Sequence, residues 1–405
     1  MTTVFIDNKN CEEFIMKANV SKSIDACAAH YGEQADAMRT YLLEGEQQAL
    51  ALNNRGPLMF DENGKLAKNI LAAYKEYGFY VFEGVLKSDE LNDIKANLDA
   101  MRNDFPEGSG SKVTKDGRKA LGTDCNAPNL IWSKPLGDPL GGTPIANGRH
   151  QVKLFEPEAA ADAPKESVFV MLGSLQFSDA CLRVYGHPEL LKVAAEVNGE
   201  DFAPFHECLF IKDAGLGAAV SWHQDGDTHW DSSSFDEGIH GFNFMAQVYG
   251  STAVNGVWVV PGTHKQGRLN IKQLVEEAGS ERIKHAVPII TEPGDVVICN
   301  RQIVHGSFAN TGFEPRVTVN FGFHRRSSVL GVQGAGIHCA ALTFDEELIR
   351  KRSRMIAYGI DARRQRFPNE TPYEYQPLAG LQDNYKWDQA AKADVKDYNL
   401  LDLSI

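Results

Sequence analysis

The spacing of hydrophobic residues along the chain changes twice. From residue 8 to about 100 it is mostly helical, with Leu66, Ile70, Leu71 and Tyr74 recurring on one face. A short aromatic and β-branched run, Gly78-Phe79-Tyr80-Val81-Phe82, interrupts it and predicts a strand. Ser88 then reads as an N-cap. Asp89 and Glu90 fall in the first turn, where the helix dipole favours acids, and Leu91, Ile94 and Leu98 form the apolar face. Residues 104–149 are rich in Gly, Pro, Lys and Asp and predict an irregular excursion of a length that often carries function. From about 150 onward short apolar runs alternate with turns. The runs include Glu207–Ile211, Phe244–Val248, Val257–Val260, Asp295–Ile298 and Val317–Phe321, and the turns Asn255-Gly256, Pro261-Gly262 and Pro293-Gly294. Many short strands with such turns predict a barrel or sandwich, here a jelly roll. Helical spacing returns after about 343, followed by a polar tail with Pro368, Pro372 and Pro377. The expected class is mainly β with helical flanks, in one catalytic domain. Residues 1–149 form an N-terminal helical flank and excursion, 150–330 the core, and 331–405 a C-terminal helical extension.

Composition narrows the partners. Hydrophobic residues make up 43% and charged residues 23%, an ordinary globular balance. A net charge of −13 repels phosphate backbones and anionic lipid, which argues against nucleic-acid and membrane partners. The one basic run, Arg350-Lys351-Arg352-Ser353-Arg354, sits among acids and reads as a solvated helix face. The seven cysteines are scattered and never spaced Cys-x-x-Cys, which predicts free thiols in a reducing compartment. Met1–Asp7 carries no basic leader, no apolar stretch approaches the roughly 18 residues of a membrane span, and Leu403-Ser404-Ile405 matches no targeting signal. A soluble cytoplasmic protein is expected; whether it forms a homodimer is left open.

The candidate chemistry starts at Trp222-His223-Gln224-Asp225. In an extended strand residues i and i+2 share a side, so His223 and Asp225 can reach one metal. A lone His-x-Asp is common by chance, and a third ligand must come from elsewhere. His305, in Ile303-Val304-His305-Gly306-Ser307 after the Val296–Ile298 run, is the best placed. Two histidines and one carboxylate on one face leave three positions of an octahedron open, as non-haem Fe(II) oxygenases require for O2 and a co-substrate. A structural zinc site would be closed instead. A co-substrate carboxylate needs a cation. Arg316 lies on the next apolar strand, with Thr318 on its face, and arginine grips a carboxylate such as that of 2-oxoglutarate bidentately. Ser307, two residues after His305, adds a hydroxyl.

These segments, in this order, resemble the phytanoyl-CoA dioxygenase-like family of Fe(II)- and 2-oxoglutarate-dependent oxygenases. Trp222-His223-Gln224-Asp225 looks like the family's first metal motif. Asn255-Gly256-Val257-Trp258-Val259-Val260-Pro261-Gly262-Thr263-His264-Lys265 looks like its strand and turn before the second half of the core. Pro293-Gly294-Asp295-Val296, then His305-Gly306-Ser307 and Arg316-Val317-Thr318, resemble the distal ligand and co-substrate anchor. The likeness spans about 78 to 330. It implies a double-stranded β-helix (jelly roll, cupin-like) core and iron held by His223, Asp225 and His305. It implies 2-oxoglutarate held by Arg316 with Ser307 or Thr318, and O2 as oxidant. Family members also use a residue on the strand after the first metal motif. Met245 and Gln247 share that face, and Gln247 is preferred because an amide can hydrogen-bond a carboxylate. Cys208 falls at a pocket-lining strand position and reads as a small buried hydrophobe. His264 reads as a turn residue with a structural role, and His206 and His324 as core or rim histidines.

The expected reaction is oxidation, most simply hydroxylation, of a small organic molecule with release of succinate and CO2. Asp225 argues against a halogenase, which replaces the carboxylate with a small residue to open a halide site. Phytanoyl-CoA itself fits poorly, because the acidic chain offers no evident phosphate patch, and a natural-product scaffold is preferred. Trp222, Trp230, Trp258 and Phe308 are candidates to line the pocket, and the polar stretch 226–243 is a candidate lid. Two other classes stay open: a cupin-like metal enzyme that does not use 2-oxoglutarate, and a non-catalytic ligand-binding jelly roll. Arg316 argues against the first, the metal triad against the second.

Overall fold

A computed structural model of the chain describes residues 8–225, 241–334 and 341–402. Twelve strands build the core: β1 (Arg55–Pro57), β2 (Phe79–Glu83), β3 (Leu130–Ser133), β4 (Ser167–Leu172), β5 (Ala203–Lys212), β6 (Val220–His223), β7 (Gly241–Gln247), β8 (Trp258–Val260), β9 (Val287–Pro288), β10 (Val296–Asn300), β11 (Val304–Ser307) and β12 (Arg316–His324). Eight form one sheet in the order β1-β2-β10-β7-β12-β5-β4-β3, and four form a second in the order β6-β11-β8-β9. The crossovers between sheets are those of a jelly roll, as expected.

Alternation along the strands assigns the faces. On β12, Val317, Val319, Phe321 and Phe323 join a large core with Leu209 and Ile211 of β5 and Phe242 and Phe244 of β7. Helices cover that face, including Ser88–Asn103 through Leu91, Ile94 and Leu98, and Glu346–Arg366 through Met355, Ile356 and Ile360. The residues between them, Arg316, Thr318 and Asn320 of β12 among them, therefore turn toward the space between the sheets. The small sheet is backed from the other side by Ile24, Met38 and Leu42 of helices Asn8–Ala29 and Ala35–Ala51, which pack on Trp222, Trp258, Val304 and Phe308.

Three local expectations change. Ser88 is the first helical residue, not the cap. The capping interaction comes from Glu90, whose carboxylate accepts the Lys87 N–H at 3.0 Å. A carboxylate one turn in serves the orphan donor better than a hydroxyl already inside the helix. The basic run at 350–354 is not wholly solvated. Arg352 is fully buried, 2.6 Å from Asp402, with its guanidinium over the Tyr398 ring. The polar tail folds back over this helix, so the run's burial depends on a segment some 50 residues away. The Gly226–Asn243 stretch is shorter at its far end, because β7 already begins at Gly241; residues 226–240, with His229, Trp230 and His240, lie outside the described residues.

The described cysteines Cys27, Cys125, Cys181, Cys208 and Cys299 are free thiols. No helix among the described residues is long and apolar enough to cross a membrane.

Candidate metal centre

β6 and β11 pair so that His223 and His305 stand directly opposite each other. A bulge follows: His305 and Ser307 oppose His223 and Val220, so three steps on β6 match two on β11. This lets Val220 and His223 both face the cavity while Trp222 between them faces out. Just past β6, the Asp225 N–H donates to the Arg301 carbonyl at 2.8 Å, which fixes the carboxylate beneath the rings. His223 Nε2 lies 3.4 Å from Asp225 Oδ1, and His305 Nε2 lies 3.8 Å from Oδ2. One donor atom from each of the three falls within 4.8 Å of the others.

The protonation states suit a cation. Each ring's Nδ1 faces a backbone carbonyl, that of Ser221 for His223 at 2.8 Å and that of Ile303 for His305 at 2.9 Å. A carbonyl only accepts, so Nδ1 carries the proton and the Nε2 lone pair points inward. Burial, then the neighbouring His223, pushes His305 down to about 4, so it is neutral at neutral pH. Burial alone would raise the Asp225 carboxyl. Arg149, with its Nη2 3.3 Å away, and the two imidazoles outweigh it and hold the group well below the usual carboxylate range. Asp225 Oδ1 is buried and accepts no hydrogen bond. Two imidazoles with Nε2 turned inward and one ionised carboxylate fit a divalent ion with open positions.

Arg316, at the start of β12, is buried beside the centre. Its Nε donates to Thr318 Oγ1 at 3.0 Å, and Nη1 donates to the Asn255 carbonyl at 3.2 Å. Arg316, Thr318 and Ser307 line the same cavity as the three candidate ligands. Gln247 does not. It stands beside Thr318, its register partner across β7 and β12, and accepts the Thr318 hydroxyl on Oε1 at 2.9 Å, so its amide is engaged with the neighbouring strand. Asn243 and Met245, on the same face of β7, are the residues that reach the cavity. Cys208 is fully buried against His206, Sγ to Nε2 3.7 Å, as a small core residue. His264 points away from the centre, its Nε2 3.1 Å from the Lys75 carbonyl.

The cavity has an empty volume of ≈ 910 Å³, open solvent at its mouth included. One wall is apolar, made by Ile131, Leu140, Phe169, Val170, Phe210 and Val220. Trp222, Trp258 and Phe308 are not in it. They stack behind the small sheet, with Tyr41 4.5 Å from Trp258 and Trp258 5.8 Å from Phe308, because their neighbours on the strands face in. Among the lining residues that escaped the sequence reading are three basic ones, Arg149, His150 and Lys212. His150 lies 4.1 Å from the His223 ring and 3.2 Å from Ser221 Oγ. Arg149 ends the irregular excursion and His150 directly follows it, where no periodicity places either residue. Lys212 did carry a signal, a lysine sharing a strand face with Phe210 and Cys208.

The phytanoyl-CoA dioxygenase (PhyH) family profile matches residues 74–318. A phytanoyl-CoA dioxygenase of Arabidopsis thaliana is 21% identical over 268 residues, 62% of this chain and 87% of its own length. A phytanoyl-CoA dioxygenase domain-containing protein 1 of Danio rerio is 22% identical over 271 residues, 61% of this chain and 86% of its own. Among solved structures, EctD from S. alaskensis with 2-oxoglutarate and 5-hydroxyectoine aligns with a TM-score of 0.46 at 18% identity, over 67% of this chain and 81% of that one. Since the family profile spans more than half of the chain, the protein belongs to the phytanoyl-CoA dioxygenase family, the non-haem iron, 2-oxoglutarate-dependent dioxygenases.

Proposed function

We propose that the protein hydroxylates a small, largely apolar organic molecule, with His223, Asp225 and His305 as its iron ligands and Arg316, Ser307 and Thr318 holding the far carboxylate of 2-oxoglutarate. The observation that carries this reading is the convergence of two inward Nε2 lone pairs and an ionised carboxylate, on the floor of a cavity that Arg316 also lines. Bound iron would supply the oxidising chemistry, coupling decarboxylation of the keto acid to oxidation of a substrate carbon.

The chain's own residues supply the rest. The Ser221 and Ile303 carbonyls hold both rings in the tautomer that presents Nε2. Arg149 keeps Asp225 ionised. Thr318, braced by Gln247, holds Arg316 Nε, so the guanidinium's remaining N–H groups are aimed rather than free to rotate. The Phe169, Phe210 and Val220 wall excludes water from the centre and receives an apolar body. Asp225 is the only carboxylate lining the cavity among the described residues, so a cationic substrate finds no counter-charge there.

The test is succinate and CO2 release from 2-oxoglutarate by the Fe(II)-loaded protein. Asp225→Ala is expected to lose both iron retention and succinate formation. Wild-type turnover by Asp225→Ala would refute the ligand assignment.

A further inference from the structure

Lys212 ends β5 directly opposite Arg316, the first residue of β12. Paired residues on adjacent strands project to the same side. Both side chains are buried, 1% and 3% exposed, and both line the cavity of the candidate centre. Lys212 Nζ donates to Ser307 Oγ at 2.7 Å and to the Phe308 carbonyl. Arg316 donates to a hydroxyl and a carbonyl. All four acceptors are neutral. Among the described residues, neither cation has a carboxylate at ion-pairing distance.

Two buried positive groups side by side, with no carboxylate at ion-pairing distance among the described residues, are costly. Burial, then the charge of Arg316, pushes the Lys212 ammonium well below its ordinary value. An anion entering between them removes that penalty. The Ser307 contact adds direction. Because Ser307 Oγ accepts from the ammonium, its own O–H is left to donate elsewhere, and Ser307 lines the cavity.

We propose that Lys212 is a second cation of the keto-acid site, a positioning residue that acts with Arg316 on the distal carboxylate and aims the Ser307 hydroxyl at it. This rests on the reading above that Arg316 holds that carboxylate. Selection for a dicarboxylic keto acid would then come from a pair of cations rather than from one arginine.

The test compares two keto acids on the Fe(II)-loaded full chain without O2. 2-Oxoglutarate has the distal carboxylate; pyruvate lacks it. The variants are Lys212→Met and Lys212→Gln, the second keeping N–H donors for Ser307 and Phe308 so that the fold is held without the charge. Both are expected to weaken 2-oxoglutarate binding by about 10- to 100-fold while pyruvate binding stays within about threefold. Wild-type affinity for 2-oxoglutarate in Lys212→Gln, or equal weakening of both keto acids, overturns the proposal; the second result would mean that the lysine only ties β5 to β11. If the wild-type protein itself does not prefer 2-oxoglutarate to pyruvate, the Arg316 reading fails first, and that outcome is distinct from a wild-type preference that survives in the variants.

Discussion

Gly78 joins the helix Lys68–Tyr77 to β2, and its replacement by alanine separates two physical costs. The residue has φ +85° and closes the helix in the left-handed region. An alanine there incurs about 1–2 kcal/mol of backbone strain. Its Cβ would also stand 2.5 Å from His264 Nδ1 and 3.0 Å from Cε1 and Cγ of the same ring. The ring cannot simply turn away, because it is buried with Nε2 near the Lys75 carbonyl. Overpacking of this kind adds about 1–3 kcal/mol. Gly78→Ala is therefore expected to cost about 2–5 kcal/mol in urea unfolding. In a His264→Ala background the ring is gone, and the same change is expected to cost only the strain, about 1–2 kcal/mol. Equal costs in the two backgrounds would refute the contact argument. The cycle also bears on function. His264 follows a strand of the metal-bearing sheet and is tempting as a ligand, yet His264→Ala is expected to retain iron stoichiometry.

Two further expectations concern the site. Arg316→Lys keeps a charge but cannot offer the guanidinium's fork, so its affinity for 2-oxoglutarate should fall about 10- to 100-fold, with Fe(II) binding unchanged; an anaerobic titration within threefold of wild type contradicts this. His206 is fully buried, and burial, then the charge of Arg301, pushes it from 6.5 down to about 3. A histidine depressed in the fold contributes stability that is present above its unfolded value and lost as pH falls toward the folded one. Between pH 6.5 and 5 this amounts to about 2 kcal/mol, so His206→Gln should lose about that much less than wild type over the same window in urea midpoints; an identical loss means that His206 is not the titrating group.

How much was legible depended on whether a residue's neighbours are fixed locally. The alternation of β12 put Arg316 and Thr318 on one face without any tertiary information, and both line the cavity. Alternation does not report partners. Gln247 has the right face, but its amide is engaged by the hydroxyl of Thr318, its cross-strand partner. Trp222 could have been read outward, since an inward His223 turns its neighbour away; its size made it tempting as a pocket wall. Arg149 lies in the aperiodic excursion and meets Asp225 only in three dimensions. Arg352 looked solvated because its partners, Asp402 and the Tyr398 ring, arrive with the tail. Lys212 becomes informative only once β5 is known to lie against β12, where it faces Arg316.

The most direct test of the central claim is optical. Fe(II) is bound to the protein without O2, its stoichiometry is measured, and 2-oxoglutarate is added. Chelation of the keto acid at a centre with open positions should give a weak, broad visible charge-transfer band in the wild-type protein and none in Asp225→Ala. Bound iron in the wild type with no band on adding the keto acid would contradict the account.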